Sequence, residues 1–147
     1  MLAKTITYED FNDEQITETF YFNLSRSELQ MLEISMANEG GLLGYVQALS
    51  DKKDVNGTLE LFKKCIELSY GEKSPDGKRL VKSQEAFDNF RFSNAYDELV
   101  VELLGLNDGG SGEAFTNFLM GIIPKAAREE IIKQGGPAAA AAKLANK

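Results

Sequence analysis

The residues whose types and spacing could support chemistry are Cys65, the acidic run Glu9-Asp-Phe-Asn-Asp-Glu14, and the glycine-rich runs Gly40-Gly41 and Gly109-Gly110-Ser-Gly112. The chain contains no histidine, which removes the commonest general base, metal ligand and pH switch together. Cys65, the single cysteine, lies beside Ile66 in a segment of helical apolar period with no imidazole to deprotonate it. It reads as a packing residue in preference to a nucleophile. One cysteine allows neither an intramolecular disulfide nor a thiolate metal cluster, and a reducing cytosol is the compartment that fits. Glu9, Asp10, Asn12, Asp13 and Glu14 are rich in oxygen ligands but lack the glycine and the alternating spacing with which an EF-hand loop wraps calcium. Neither glycine run is followed by the lysine that reaches a phosphate in a phosphate-binding loop. The carboxylate pairs Asp97-Glu98 and Glu129-Glu130 are adjacent in sequence, and adjacent helical positions point to different sides. The expectation is therefore no catalytic residue, no cofactor and no metal.

The totals narrow the class further. With 147 residues, 43% hydrophobic content, nine Phe and five Tyr, the chain is long enough to bury its own core as one domain. A net charge of −7 argues against nucleic acid, whose binding rests on Lys and Arg neutralising phosphates. No run approaches the ~18 apolar residues of a membrane span, and the first residues lack the apolar stretch of a secretion signal. A soluble protein is expected, with no nucleic acid and no membrane among its partners.

The elements that would position any site follow from periodicity. Thr5–Tyr8 and Ile16–Phe22 are rich in β-branched and aromatic residues around a polar loop, which predicts an N-terminal β-hairpin. In its second strand Ile16, Glu18, Phe20 and Phe22 share a face that can bury if Glu18 lies at the margin. Ser25 and Glu28 form the pattern of a capping box, opening a helix that runs to about Asn38 with Leu29, Leu32, Met36 and Ile34 as candidates for burial. Short helical segments follow at Leu42–Leu49 and from Asp54 to Tyr70, the latter with Val55, Leu59, Phe62 and Ile66 inward. Gly71 stands where a left-handed helix stop is expected, Ser74-Pro-Asp-Gly77 suits a type I turn, and Ser83 suits an N-cap. Helices are also expected at Ser83–Phe90, from Ser93 through Leu103, at Glu113–Gly121, and at Ala126–Gln134.

The fold class is thus mainly α with an N-terminal β-hairpin (α+β), a small helical domain with a second short hairpin near residues 72–81. Residues 1–124 read as one globular body and residues 125–147 as a flexible, alanine-rich tail, with a loop at 107–112. Phe115, Phe118, Leu119, Ile122 and Ile123 form an apolar stripe whose helical spacing favours the core. Its place between a glycine-rich loop and the tail also suits a helix that docks on a partner.

Several motifs together resemble a known family. Thr5-Ile-Thr-Tyr-Glu-Asp-Phe11, Phe20-Tyr-Phe-Asn-Leu-Ser25, Tyr70-Gly-Glu-Lys-Ser-Pro-Asp-Gly-Lys-Arg79 with Lys82-Ser83, Ala95-Tyr-Asp-Glu-Leu99 and Gly121-Ile-Ile-Pro124 look like the tail assembly chaperones of long-tailed bacteriophages. The middle motif is the most specific. The resemblance implies a non-enzymatic protein of the host cell cytoplasm, absent from the mature virion, that keeps the tape measure protein soluble while tail tube subunits assemble around it. It implies further a link to the tail tube protein through a longer, frameshifted form; self-association is a further partner expectation. A structural virion component, such as a connector or tail-terminator subunit, is the alternative.

Overall fold

In the computed structural model, which describes residues 1–105, 113–137 and 140, the chain opens with two strands, β1 (Leu2–Glu9) and β2 (Gln15–Phe22). They pair antiparallel, Leu2 opposite Phe22 and Glu9 opposite Gln15. Because successive side chains alternate between faces, Ile6, Phe20 and Phe22 are buried while Thr5, Thr7, Thr17 and Thr19 are exposed. The exposed face is held by cross-strand hydroxyl pairs, Thr5 with Thr19 and Thr7 with Thr17, each at 2.9 Å. Glu18 lies at the solvent margin of the apolar face, as its sequence position requires, and accepts a hydrogen bond from the Tyr8 hydroxyl.

The strands β3 (Tyr70–Lys73) and β4 (Leu80–Val81) complete a four-stranded antiparallel sheet in the order β1-β2-β3-β4. Their connection is the expected turn. The Ser74 N–H donates to Arg79 O at 2.9 Å, the Gly77 N–H donates to Ser74 O at 2.8 Å, and Gly77 takes φ 73°. Gly71 departs from expectation. It is a buried residue of β3 paired with Tyr21, not a left-handed helix stop. Its small size matters because a Cβ there would lie 2.5 Å from Leu80 Cγ.

Seven helices are described: α1 (Arg26–Ser35), α2 (Gly41–Lys52), α3 (Val55–Ser69), α4 (Gln84–Arg91), α5 (Asn94–Leu104), α6 (Glu113–Ile122) and α7 (Lys125–Lys133). With the N-terminal hairpin they give the expected mainly α, α+β fold. The loop expected at 107–112 and most of the alanine run at 138–142 lie outside the described residues, while Ala140 is described and buried.

The chain divides into two compact units. The sheet unit comprises Met1–Asn23 and Cys65–Ile122; the helical unit comprises Leu24–Lys64 and Ile123–Lys147. In the sheet unit α5 packs on β1 and α4 on β3, and the core contains a set of touching rings beside buried aliphatic residues such as Ile66, Leu99 and Ile122. Tyr70 stacks on Phe90 at 4.6 Å, Phe20 tilts against Phe90 at 4.9 Å, and Phe22 meets Phe118 edge-on at 5.4 Å. Lys82 Nζ donates to Asn23 O at 2.6 Å and to Leu68 O at 2.9 Å, joining the segment before α4 to the end of β2 and the last turn of α3.

In the helical unit the capping box is formed: the Glu28 N–H donates to Ser25 Oγ and the Ser25 N–H to the Glu28 carboxylate. The first helix ends at Ser35, a short 3-10 turn spans Ala37–Glu39, and Gly40 stops it at φ 85°. Leu32 and Met36 are buried, but Ile34 is 68% exposed because it stands about 200° around the helix from each. Val55 is likewise 69% exposed at the first residue of α3, ahead of the buried stretch that contains Leu61 and Phe62. Burial raises the carboxyl pKa of Glu33, and the hydrogen bond from the Leu42 N–H partly offsets that rise.

Candidate functional site

The stripe that the sequence offers as a docking face is part of the core. In α6, Phe115 and Phe118 are each 3% exposed, Leu119 is 2% exposed and Ile122 is fully buried, and Ile123 just beyond is 4% exposed. Spacing of i, i+3, i+4 and i+7 lays these side chains along one line, and α6 turns that line inward. Gly121 permits a close approach, since a Cβ there would lie 3.0 to 3.3 Å from side-chain atoms of Leu2. A partner could reach the stripe only by displacing these contacts.

Apolar side chains do reach the surface elsewhere. On α1, Met31 and Ile34 are 71% and 68% exposed and lie one turn apart. Ile132 on α7 and Val55 on α3 are also exposed. The sequence carried the signal for the α1 pair. Once Leu32 and Met36 define the inward line, Met31 and Ile34 fall off it. In the sheet unit, Phe92 is exposed beneath the Arg91 guanidinium, which lies 4.5 Å from its ring centre. Phe11 stands at the β1–β2 tip, 78% exposed. The tip is fixed by Asp10 Oδ1, which accepts from the Asn12 and Glu14 N–H groups at 2.9 Å each. Phe11 was hidden to sequence reasoning inside a run of acidic residues that reads as polar loop.

The titratable groups are tied into structure. The Tyr8 hydroxyl is pushed up to about 12, first by its hydrogen bond to Glu18 and then by burial; Tyr70 is pushed up to about 12 chiefly by burial. Asp76 is held below the usual carboxylate range by the Ser74 hydroxyl and the Lys78 N–H. Cys65 is fully buried. A half-open cleft of about 340 Å³ in the sheet unit is lined by Leu2, Lys4, Glu102, Leu103, Asn117 and Phe118, among others, and Lys4 Nζ meets Glu102 Oε1 at 2.6 Å. Among the described residues no group of three or more His, Cys, Asp or Glu side chains is placed to hold a metal, and no helix is long and apolar enough to cross a membrane.

No curated protein and no solved structure matches the chain. Among protein families, the one described as phage tail assembly chaperone matches residues 1–146. That span contains every motif that suggested the resemblance, from Thr5–Phe11 to Gly121–Pro124, so the chain belongs to the phage tail assembly chaperone family.

Proposed function

We propose that this chain binds the tape measure protein of its phage and keeps it soluble while the tail tube assembles, acting in the host cell cytoplasm without being an enzyme. The observation that carries the reading is membership of the tail assembly chaperone family over residues 1–146. The exposed pair Met31 and Ile34 supplies a surface suited to it, an apolar helix face on a protein whose net charge of −7 opposes aggregation of the complex. Fully covering one such side chain is worth about 1.5–3 kcal/mol, while association costs at least about 4 kcal/mol in lost freedom. One α1 face therefore binds weakly, and a long client is held by several copies that leave when tube subunits arrive. A link to the tail tube protein through a longer, frameshifted product belongs to the same proposal.

Co-expression with the tape measure protein tests it. The client is expected in the soluble fraction with this chain and in the pellet without it, and Met31→Ser with Ile34→Ser is expected to shift it back toward the pellet. Equal insolubility with and without the chain would sink the reading. Mass spectrometry of purified particles is expected to find the chain absent; its presence in stoichiometric amount favours a structural subunit instead.

A further inference from the structure

Alternation along β1 puts Lys4 on the same side as Leu2 and the buried Ile6, the side that the helices cover. A lysine is out of place there. Its side chain is only 26% exposed, and it opens into the cleft of about 340 Å³ bounded by β1, the end of α5 and the start of α6, a volume within the range of small-molecule sites. The α6 wall of the cleft has two rows, each a pair of residues four apart and so one turn apart on a helix face. Ala114 and Phe118 form an apolar row, with Phe118 buried, while Glu113 and Asn117 form a polar row that is exposed. Leu2 and the buried Leu103 extend the apolar floor, and Glu102 extends the polar rim.

We propose that this cleft binds a primary ammonium group carried on a compact apolar body, the chemistry shared by a polypeptide's amino-terminal residue with an aliphatic side chain and by a free aliphatic amine. The division between floor and rim sets the orientation: the body lies on Leu2, Leu103 and Phe118, and the ammonium stays at the rim. A primary ammonium has three donors and no acceptor, and the rim supplies acceptors only suited to it, the carboxylates of Glu102 and Glu113 and the amide oxygen of Asn117. One lysine against two glutamates leaves the lining with an excess of negative charge, which favours a cation and disfavours a free carboxylate.

Lys4 fixes the acceptor that the ligand meets. Its Nζ takes Glu102 through Oε1 at 2.6 Å, and a carboxylate accepts through both oxygens, so Oε2 is left to the incoming ammonium. Lys4 and the ligand thus share one carboxylate, and the two cations compete for it. Removing the charge of Lys4 while keeping its aliphatic length is therefore expected to tighten binding of an ammonium. A lysine that only held β1 to α5 would give no such gain. The assignment does not depend on the identity of the client.

Titration of the full chain with leucine amide, whose only charge is its ammonium, tests the proposal. Saturable chemical-shift changes are expected at the methyl groups of Leu2 and Leu103 and at the side-chain amide of Asn117. N-acetyl-leucine amide, which lacks the charge, is expected to bind about tenfold more weakly, and glycine amide, which lacks the apolar body, is expected to be weaker by about tenfold or more. Glu102→Gln is expected to weaken binding by about tenfold, Lys4→Met to tighten it severalfold, and Ala114→Leu to fill the cleft and abolish it; urea midpoints show that each variant is folded. Two further probes separate the sources. Isoamylammonium binding as tightly as leucyl-alanyl-alanine amide supports the proposal with a free amine as ligand, and tighter binding of the peptide supports it with a polypeptide's amino terminus. The proposal is overturned if leucine amide produces no saturable change at those groups, if the acetylated probe binds as tightly, or if Lys4→Met and Glu102→Gln, both folded, leave its affinity unchanged.

Discussion

In the sheet unit a set of buried rings in mutual contact, Phe20, Phe22, Tyr70, Phe87, Phe90 and Phe118, packs beside the buried aliphatic Ile66, Leu99, Leu103 and Ile122, and exposed apolar residues such as Phe11 and Phe92 are scattered. The helical unit buries mostly aliphatic side chains, Leu24, Leu32, Met36, Leu42, Leu49 and Leu61, and leaves Met31 and Ile34 side by side on one exposed helix face. A ring cluster gains edge and stacking contacts beyond the area it buries, so one unit is specified by shape as well as by hydrophobicity. The other leaves apolar surface available. The difference is one of cores and surfaces: ring contacts help specify one unit, and the other leaves uncovered the apolar helix face that the proposed function assigns to the client.

The sharpest way to break this contrast is to open the ring cluster. Phe90 is 1% exposed and contacts Phe20, Phe22, Tyr70 and Tyr96. Phe90→Ala is expected to cost about 3–5 kcal/mol, a large share of the about 5–15 kcal/mol that holds a typical domain. Urea denaturation measures it, and a loss below about 1 kcal/mol would mean the rings are not what specifies the sheet unit.

The two units should also differ in their response to pH. Tyr70 has its folded pKa raised from 10.0 to about 12. Its contribution is fully present below the unfolded value near 10 and is lost as pH rises from there to about 12. The size is about 2–3 kcal/mol, and Tyr70→Phe is expected to flatten alkaline unfolding followed by ring absorbance. Glu33 in the helical unit is also raised, but as a carboxyl. What it contributes is present below its unfolded pKa and is lost as pH rises through its folded pKa, so at neutral pH its buried charge is a cost. Glu33→Gln is expected to raise the denaturation midpoint at neutral pH and to leave it unchanged in acid. The sheet unit thus yields in alkali and the helical unit gives up its share earlier.

A smaller test lies at the second hairpin. Gly71→Ala places a Cβ 2.5 Å from Leu80 Cγ in a buried position, while a Cβ at Gly77 meets nothing within 4 Å but must hold φ +73°. Overpacking costs about 1–3 kcal/mol and the left-handed conformation about 1–2 kcal/mol. Both substitutions are expected to lower the midpoint, Gly71→Ala by the larger amount; the reverse order would show that Leu80 moves aside freely.

Local signals were legible in the sequence where the chemistry is local. The Ser25–Glu28 capping box, the turn with its left-handed Gly77, the N-cap at Ser83 and the alternation that sets Glu18 at the margin all depend on neighbours a few residues away. Ser93 precedes its helix as expected, yet its hydroxyl donates to Phe90 O and caps nothing. What could not be read depends on distant residues. Gly71 is needed for Leu80 across a strand pair, and Gly121 for Leu2 at the far end of the chain. The stripe from Phe115 to Ile123 had the right spacing for either core or docking surface, and spacing alone carries no information on what lies opposite. Exposure of Met31 and Ile34 follows only after Leu32 and Met36 have been assigned inward.

The smallest expected effect tests the other side of the contrast. Met31 and Ile34 are so exposed, 71% and 68%, that replacing both with serine removes almost no buried area from the folded chain. Surface changes of this kind stay within about 0.5 kcal/mol, so the urea midpoint of Met31→Ser with Ile34→Ser should match the parent. A clear loss of stability would mean that this face is covered in the isolated protein, and the helical unit would then be as closed as the sheet unit. Unchanged stability together with loss of client solubility separates surface from scaffold, because no core contact has been disturbed. That pairing of results is what distinguishes a face kept free for binding from one that is merely left over.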